Sequence, residues 1–149
     1  MITLEQIQEA QSRVNRMIEV FYTQKKPIEY VVPEFRIELR PGERYAGIVL
    51  DDNGKPSHRL ILLPGDSNQA SWDDQKAWAE SIGGELPTRR EQSLLFANLC
   101  GFEAAAYWSA ETYAEDSSYA WYQYFDDGYQ GNFRKGEELR AVAVRRVFV

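Results

Sequence analysis

The residue types best suited to catalysis or metal binding are scarce in this chain, which has one histidine, His58, and one cysteine, Cys100. A single cysteine forms no disulfide within the chain and cannot supply a zinc site made of several cysteines. A Ser-His-Asp triad needs only one histidine, but the G-x-S-x-G motif that would present its serine is missing. The acidic residues Glu111, Glu115 and Asp116 lack the spacing of calcium ligands. We therefore expect no catalytic residue, no metal site and no cofactor, with His58 on a strand surface and Cys100 as a small buried side chain.

The charge of the chain narrows the classes of partner. It carries 23 acidic and 17 basic side chains, for a formal net charge of -6. A protein that binds nucleic acid directly normally presents a basic surface that replaces the counterions of the phosphates. The acidic balance argues against that function and leaves proteins or glycans as partners. We expect the basic pairs Arg89-Arg90 and Arg145-Arg146 on the surface; the alternative for Arg145 is an internal pair with a carboxylate.

Aromatic side chains make up 13% of the chain, and nine of them are tyrosines. Tyrosine offers a large contact area at a low cost in conformational entropy, and binding surfaces are enriched in it. The run of residues 119–125 has aromatic side chains on both faces of the strand that it predicts, so one set must face outward. We expect a binding surface of tyrosines and acidic loop residues, comprising Tyr113, Asp116, Tyr119, Tyr122, Tyr124, Asp127 and Tyr129. The alternative is that these tyrosines only pack on a sheet surface.

Residues 3–22 have the pattern of an amphipathic helix. Thr3 and Gln6 form a capping box at its start, and the sequence Lys25-Lys26-Pro27 ends it. A stripe with alternating three- and four-residue spacing runs along the helix, and one of its members is polar. The stripe consists of Leu4, Ile7, Gln11, Val14, Ile18 and Phe21. It either packs on the body of its own chain or pairs with copies of itself, with Gln11 as a polar core position of a coiled coil.

The rest of the chain predicts strands and two more helices. Four strands come first, and Asn53-Gly54 favours a tight turn between the last two: residues 28–32, 35–39, 45–50 and 58–63. Two helices follow, one capped by Ser71 and one by the capping box of Thr88 and Glu91: residues 71–83 and 88–99. The last strands are residues 107–110, 119–125 and 139–149, with residues 132–136 as a short strand or a loop.

Several short motifs, in this order of elements, resemble the C-type-lectin-like domains of many bacterial and phage proteins. The motifs are Trp72-Asp73-Asp74, Ala77-Trp78-Ala79, Gly83-Gly84-Glu85-Leu86-Pro87-Thr88-Arg89, Tyr107-Trp108-Ser109-Ala110-Glu111, Ala120-Trp121, Phe125-Asp126-Asp127-Gly128 and Ala143-Val144-Arg145-Arg146. The resemblance covers residues 45–147 of this chain. Domains of similar fold include the C-terminal domain of a collagen-like adhesin, the formylglycine-generating enzymes and the variable proteins of diversity-generating retroelements.

The resemblance implies an α+β fold in which two helices pack on small antiparallel sheets. It assigns this C-type-lectin-like domain to residues 28–149, after the N-terminal amphipathic helix of residues 1–27. It also implies that the final strand returns beside the first one. Trp108 and Trp121 would fill the core, and Trp121 and Phe125 would be the inward-facing residues of their strand.

The resemblance also implies binding rather than catalysis. The chain lacks the Glu-Pro-Asn, Gln-Pro-Asp and Trp-Asn-Asp motifs of calcium-dependent sugar binders, and it lacks the pair of cysteines used by formylglycine-generating enzymes. We expect a non-catalytic binding module, of phage or bacterial origin, that recognises a protein partner through its aromatic and acidic loop face. The alternative is an oligomeric adhesin or virion protein that binds a receptor or a glycan and is assembled as a homo-oligomer by the N-terminal helix.

The first residues of the chain are polar and lack the apolar core of a signal peptide. No stretch reaches the roughly 18 apolar residues of a membrane span. We therefore expect no membrane contact and a location in the cytoplasm, or on a virion that carries the protein out of the cell.

Overall fold

The computed structural model describes all 149 residues of the chain. They form two compact units, Met1–Val32 and Pro33–Val149. The domain boundary predicted after residue 27 lies inside the first of these units. Residues 28–32 have no regular secondary structure and their side chains are exposed, so they join neither a helix nor a sheet.

The first unit contains a single helix, α1, from Leu4 to Lys25. Its capping box is complete, because the Thr3 side chain accepts a hydrogen bond from the Gln6 amide while the Gln6 side chain accepts one from the Thr3 amide. The predicted start is confirmed, and the helix continues past the predicted end at residue 22. None of its residues is buried. None of the helices in this protein combines the length and the apolar character that crossing a bilayer requires.

The second unit contains eight strands and two helices. The strands are β1 (Arg44–Leu50), β2 (Pro56–Leu62), β3 (Ser67–Ala70), β4 (Ala106–Thr112), β5 (Tyr119–Tyr124), β6 (Gln130–Arg134), β7 (Leu139–Ala141) and β8 (Val144–Phe148). Between β3 and β4 lie α2 (Trp72–Ser81) and α3 (Arg89–Asn98). Ser71 caps α2, and Thr88 with Glu91 forms a capping box on α3, as predicted. The α+β class is confirmed.

The strands form two small sheets. One has three antiparallel strands in the order β1-β2-β8, and the other has five strands in the order β3-β7-β4-β5-β6. The five-stranded sheet is mixed rather than purely antiparallel, because β4 and β7 pair in parallel where Tyr107 lies opposite Arg140. The last strand returns beside β2 and not beside β1, which corrects that part of the expectation.

The two helices cover different parts of these sheets. α3 packs on β1, β4 and β5, and α2 packs on β3, β4 and β7. Each helix has its own buried cluster. The cluster around α3 contains Ala46, Val49, Leu60, Leu62, Leu95, Tyr107, Phe125, Val142 and Val144. The cluster around α2 contains Leu63, Trp72, Ala79, Leu86, Trp108, Ala120, Tyr122, Ala141 and Ala143.

The C-terminal segment is two strands and not the single strand predicted over residues 139–149. β7 belongs to the five-stranded sheet and β8 to the three-stranded sheet. The change of sheet occurs at Val142 and Ala143, and each of these two residues belongs to a different one of the two buried clusters. The chain therefore leaves one sheet and enters the other where it passes between the two cores.

The strands predicted at residues 28–32 and 35–39 are absent. The first segment is exposed throughout. At the second, arginine side chains bind backbone carbonyls that a neighbouring strand would otherwise bind: Arg145 donates to the carbonyl of Glu38, and Arg59 donates to that of Pro33, just before the segment. The alternation of apolar and charged residues there gives only a half-buried Ile37. Without a partner strand, that alternation does not produce a strand.

Arg145 makes a two-pronged ion pair with the buried carboxylate of Glu43, at 2.8 Å and 2.9 Å. The alternative predicted for Arg145, an internal pair with a carboxylate, is confirmed. The hydrogen bonds from Arg145 outweigh the cost of burial, and they lower the pKa of Glu43 from 4.5 to about 2. The pair joins the turn before β1 to β8.

The Glu43→Gln variant should be less stable than the natural protein at neutral pH, by about 3 kcal/mol in free energy of unfolding. The folded-state pKa of Glu43 lies below its unfolded value, so the carboxylate stabilises the fold fully above about pH 5. That contribution is lost as the pH falls from 4.5 towards 2. Urea unfolding at several pH values should show the gap between the two proteins closing over this range. Glu38→Gln, at an exposed side chain, is the matched control, and a gap that does not depend on pH would contradict the assignment.

Candidate binding surface

Four aromatic side chains of the β5–β6 hairpin lie together on one face of the five-stranded sheet. We call this cluster the aromatic face; it consists of Tyr122, Tyr124, Tyr129 and Phe133. The ring of Tyr122 lies at its centre, with the centroid of Tyr124 at 5.4 Å and that of Phe133 at 6.0 Å. Such edge-to-face and tilted contacts are favourable arrangements of aromatic rings.

The alternation of side chains along a strand produces this cluster. Tyr122 and Tyr124 are two residues apart on β5, so they share a face. Across the hairpin, Tyr122 lies opposite Gly131. A Cβ atom at Gly131 would lie 2.8 Å from the Tyr122 hydroxyl and 3.1 Å from the Tyr129 ring. The absence of a side chain at Gly131 therefore gives the two tyrosine rings their space.

The aromatic face is exposed because α2 packs on β3, β4 and β7 of the same sheet. Tyr122 is buried beside α2, whereas Tyr124 is 38%, Phe133 is 40% and Tyr129 is 60% exposed. Burial raises the pKa of Tyr122, and the neighbouring Tyr124 and Tyr129 hydroxyls add to that effect. The hydroxyls of these three tyrosines make no hydrogen bond within the protein, so they can bind an incoming group.

The turn between β5 and β6 adds negative charge beside the aromatic face. Asp126 and Asp127 are both exposed. The carboxylate of Asp127 accepts a hydrogen bond from the Tyr129 amide at 2.9 Å, and that of Asp126 accepts one from the Asp127 amide at 2.8 Å. Both carboxylates therefore order the turn that presents Tyr129.

The structure does not bring together all the residues that the sequence grouped as one binding surface. Tyr122, Tyr124, Asp127 and Tyr129 lie at the aromatic face. Tyr113, Asp116 and Tyr119 lie in or beside the β4–β5 loop instead. Tyr119 is three residues before Tyr122 on the same strand, so its side chain points to the opposite face of the sheet.

The β4–β5 loop is held by its own contacts. The Tyr113 hydroxyl donates to Glu115 at 2.9 Å, a bond that raises the pKa of Tyr113. The Asp116 carboxylate accepts hydrogen bonds from the amide and the hydroxyl of Ser118. The Tyr119 hydroxyl accepts a hydrogen bond from Arg134 at 3.3 Å. The polar groups of these side chains are therefore hydrogen-bonded within the protein, unlike the tyrosine hydroxyls of the aromatic face.

The inward-facing residues of β5 differ from the expectation. Trp121 is only half-buried, and the guanidinium of Arg89 stacks 3.5 Å above its ring. Tyr122, expected to face outward, belongs to the buried cluster around α2. Phe125 and Trp108 are buried as predicted. The strand packs on both faces, because α3 covers one face and α2 approaches the other.

Two members of this surface were not identified from the sequence. The sequence predicts residues 132–136 as a short strand or a loop, which does not place Phe133 on a face, and Gly131 lies just before this segment. The sequence does contain a signal for this face: Tyr129, Gly131 and Phe133 occupy every second position, which is the period of one face of a strand. Pairing with β5 puts that face on the same side as Tyr122.

The surroundings of the sole histidine and the sole cysteine correct two expectations. His58 is buried rather than on the strand surface, and its Nε2 hydrogen-bonds the Glu91 carboxylate at 2.7 Å. Ser57 lies 3.0 Å from the other ring nitrogen, beside an open depression of about 490 Å³. Both oxygens of Glu91 are also bound by Arg146, which neutralises the charge that a catalytic triad would use. Cys100 is exposed and not buried.

Comparisons with known proteins give no match from which a family or a function could be assigned to this chain. No protein-family model matches the chain. No curated protein matches its sequence either. No group of three or more histidine, cysteine or acidic side chains is arranged to hold a metal ion. The aromatic face is the candidate site that the side-chain geometry itself supports.

The Gly131→Ala variant should disturb the aromatic face, because the new methyl group would meet the rings of Tyr122 and Tyr129. We expect a loss of about 1–3 kcal/mol in free energy of unfolding and a changed near-ultraviolet circular dichroism spectrum. Gly136→Ala is the matched control, since nothing lies within 4 Å of its Cβ position. Equal stability and identical spectra of the two variants would show that the close packing around Gly131 is unimportant.

Proposed function

We propose that this protein is a non-catalytic binding module that recognises a protein partner through the aromatic face. One observation carries the proposal: the rings of Tyr124 and Phe133 both contact Tyr122, Tyr129 lies beside them, and these three outer side chains remain exposed. Single exposed apolar residues are common on protein surfaces, but a contiguous exposed group is characteristic of an interaction site. Because the rings stand on a sheet and not on a long loop, little ordering would accompany binding.

The shape and chemistry of the aromatic face favour a protein over a small molecule. The rings of Tyr124 and Phe133 stand on outer strands of a sheet and that of Tyr129 on the turn between them, not inside an enclosed cavity, and small-molecule sites are usually concave. Tyrosine and arginine dominate the binding energy of protein interfaces, where a tyrosine buries its ring and hydrogen-bonds through its hydroxyl. Asp126 and Asp127, in a chain of net charge -6, favour a partner with basic residues around an apolar centre.

We propose a C-type-lectin-like fold for the second unit. The order of its elements supports this: a strand hairpin, two capped helices, a set of antiparallel strands, and a last strand that returns to the hairpin. In this proposal the aromatic face lies on the hairpin between the last strands of the domain, and the surrounding loops are supported by the sheet. Phage or bacterial origin is what the resemblance of the sequence implies.

One observation favours a second candidate function, that of an oligomeric receptor- or glycan-binding adhesin or virion protein. The apolar stripe of α1 is exposed along its whole length, which fits a helix that assembles copies of the chain. Under this alternative the aromatic face would bind a cell-surface molecule, and intact cells rather than a cell extract would compete for it.

Replacing both exposed tyrosines, Tyr124→Ala together with Tyr129→Ala, should weaken binding about tenfold or more, because centrally placed aromatic side chains dominate interface energies. Tyr122 is left unchanged, since its ring is part of the buried core. The measurement is a pull-down from bacterial lysate read by mass spectrometry, followed by a titration of the captured protein. Tyr113→Ala, in the β4–β5 loop and away from the aromatic face, is the matched control.

A partner kept by the natural protein and by Tyr113→Ala, but lost by the double variant, would support the proposal. If the double variant retains that partner, the aromatic face is not the binding surface. If the lysate yields no partner and labelled protein binds intact cells through the same tyrosines, the adhesin function is favoured instead.

A further inference from the structure

We propose that α1 is an assembly helix that forms a parallel bundle with two or three further copies of this chain. The inference concerns a different surface from the aromatic face and does not rest on the function proposed for it. It starts from a helix of 22 residues, none of which is buried. An isolated helix of this length is only marginally stable in water and normally gains its stability by packing an apolar face.

The stripe on α1 has the heptad spacing of a coiled coil, in which positions a and d face the partner helices. With Leu4 at position a, the a and d positions are Leu4, Ile7, Gln11, Val14, Ile18 and Phe21. The five apolar members of this set are all exposed in the chain described here. A partner helix with the same stripe would cover them by knobs-into-holes packing.

The positions of the charged residues on α1 indicate that the partner packing on its apolar stripe is the α1 helix of another copy. In residues 4–24 all charged side chains fall on positions b, c and f, the outer side of a coiled coil; they are Glu5, Glu9, Arg13, Arg16 and Glu19. Positions a, d, e and g carry no charge over these three heptads. A helix that packed on a charged or mixed surface would not need this separation, whereas a bundle of identical helices does.

The same pattern sets the number of copies. In two-stranded coiled coils the e and g positions usually carry charges, but here they are Gln8, Ala10, Asn15, Met17, Tyr22 and Gln24. An uncharged e and g flank widens the face that can be buried. The first heptad has Leu4 at a and Ile7 at d, a combination that favours trimers or tetramers over dimers. The pattern therefore indicates three or four helices.

The position of the one polar core residue sets the orientation. In a parallel bundle Gln11 of every copy lies in the same layer, and the amides can hydrogen-bond one another. In an antiparallel arrangement of the same stripe Gln11 would lie opposite Val14, and its buried amide would lack a partner in its own layer. An unpaired buried amide costs about 1–3 kcal/mol, so the parallel arrangement is favoured.

The first test is the mass of the full chain in solution, measured by analytical ultracentrifugation. We expect three or four times the chain mass of 17.2 kDa. Ile18→Asp should reduce that mass to one chain, because it places a charge in the buried stripe. Val20→Asp is the matched control: Val20 is also a β-branched apolar residue, 54% exposed against 47% for Ile18, but it lies at position c. It should leave the mass unchanged.

A second measurement tests the orientation. Leu4→Cys in a Cys100→Ser background puts one thiol at the first layer of each helix, and mild oxidation should link chains in a parallel bundle. In an antiparallel bundle Leu4 would lie opposite Phe21, the two thiols would be roughly 25 Å apart along the axis, and no link would form. A monomeric or dimeric natural protein, equal loss of mass in both aspartate variants, or absence of the cross-link would overturn the proposal. Near-ultraviolet circular dichroism of each variant separates a lost assembly from an unfolded second unit.

Discussion

The carboxylate of Glu91 is the contact on which the arrangement of the second unit depends. Its Oε1 accepts a hydrogen bond from the Thr88 amide, which completes the cap of α3. Its Oε2 accepts one from the ring of His58 on β2. Arg146 of β8 donates to both oxygens. Burial alone would raise the pKa of Glu91, but these donors hold it below its ordinary value. Removing one member of such a group leaves a buried charge at a cost of about 3–5 kcal/mol, so α3, β2 and β8 are held together at one point.

The position of α3, which the Glu91 contacts fix, determines which face of β5 is free to form the aromatic face. Side-chain amides continue the contact from the helix to the sheet: Gln92 donates to the Tyr107 carbonyl of β4, and Gln123 of β5 donates to the Gln92 carbonyl. These bonds fix which face of β5 is turned towards α3. Because side chains alternate along a strand, Tyr122 and Tyr124 are then directed to the other face. The aromatic face is therefore the far side of a strand whose near side is fixed by buried hydrogen bonds.

What could be predicted from the sequence was local, and what could not was long-range. Helix caps depend on residues three apart, so Thr3, Ser71 and Thr88 were placed correctly. The ion pairs join residues that are 102 and 55 positions apart, and no pattern in the sequence says which arginine meets which glutamate. The segment of residues 35–39 alternates like a strand but has no partner strand. On β5, the two-residue period separates Tyr119 from Tyr122, and grouping all tyrosines together overlooked it.

Because the aromatic face is small, assembly through α1 would matter most for the overall affinity for a partner. Three exposed rings cover far less than the roughly 800 Å² per partner of a standard interface, so one copy alone would hold a partner weakly. A parallel bundle would present several copies from one end, and residues 26–32 reach at most roughly 24 Å when extended. After one copy binds, its neighbours meet a clustered partner at an effective concentration of about a millimolar, and the overall affinity rises without any new contact. The two proposals therefore complement each other: the aromatic face would supply recognition, and assembly through α1 would raise the overall affinity.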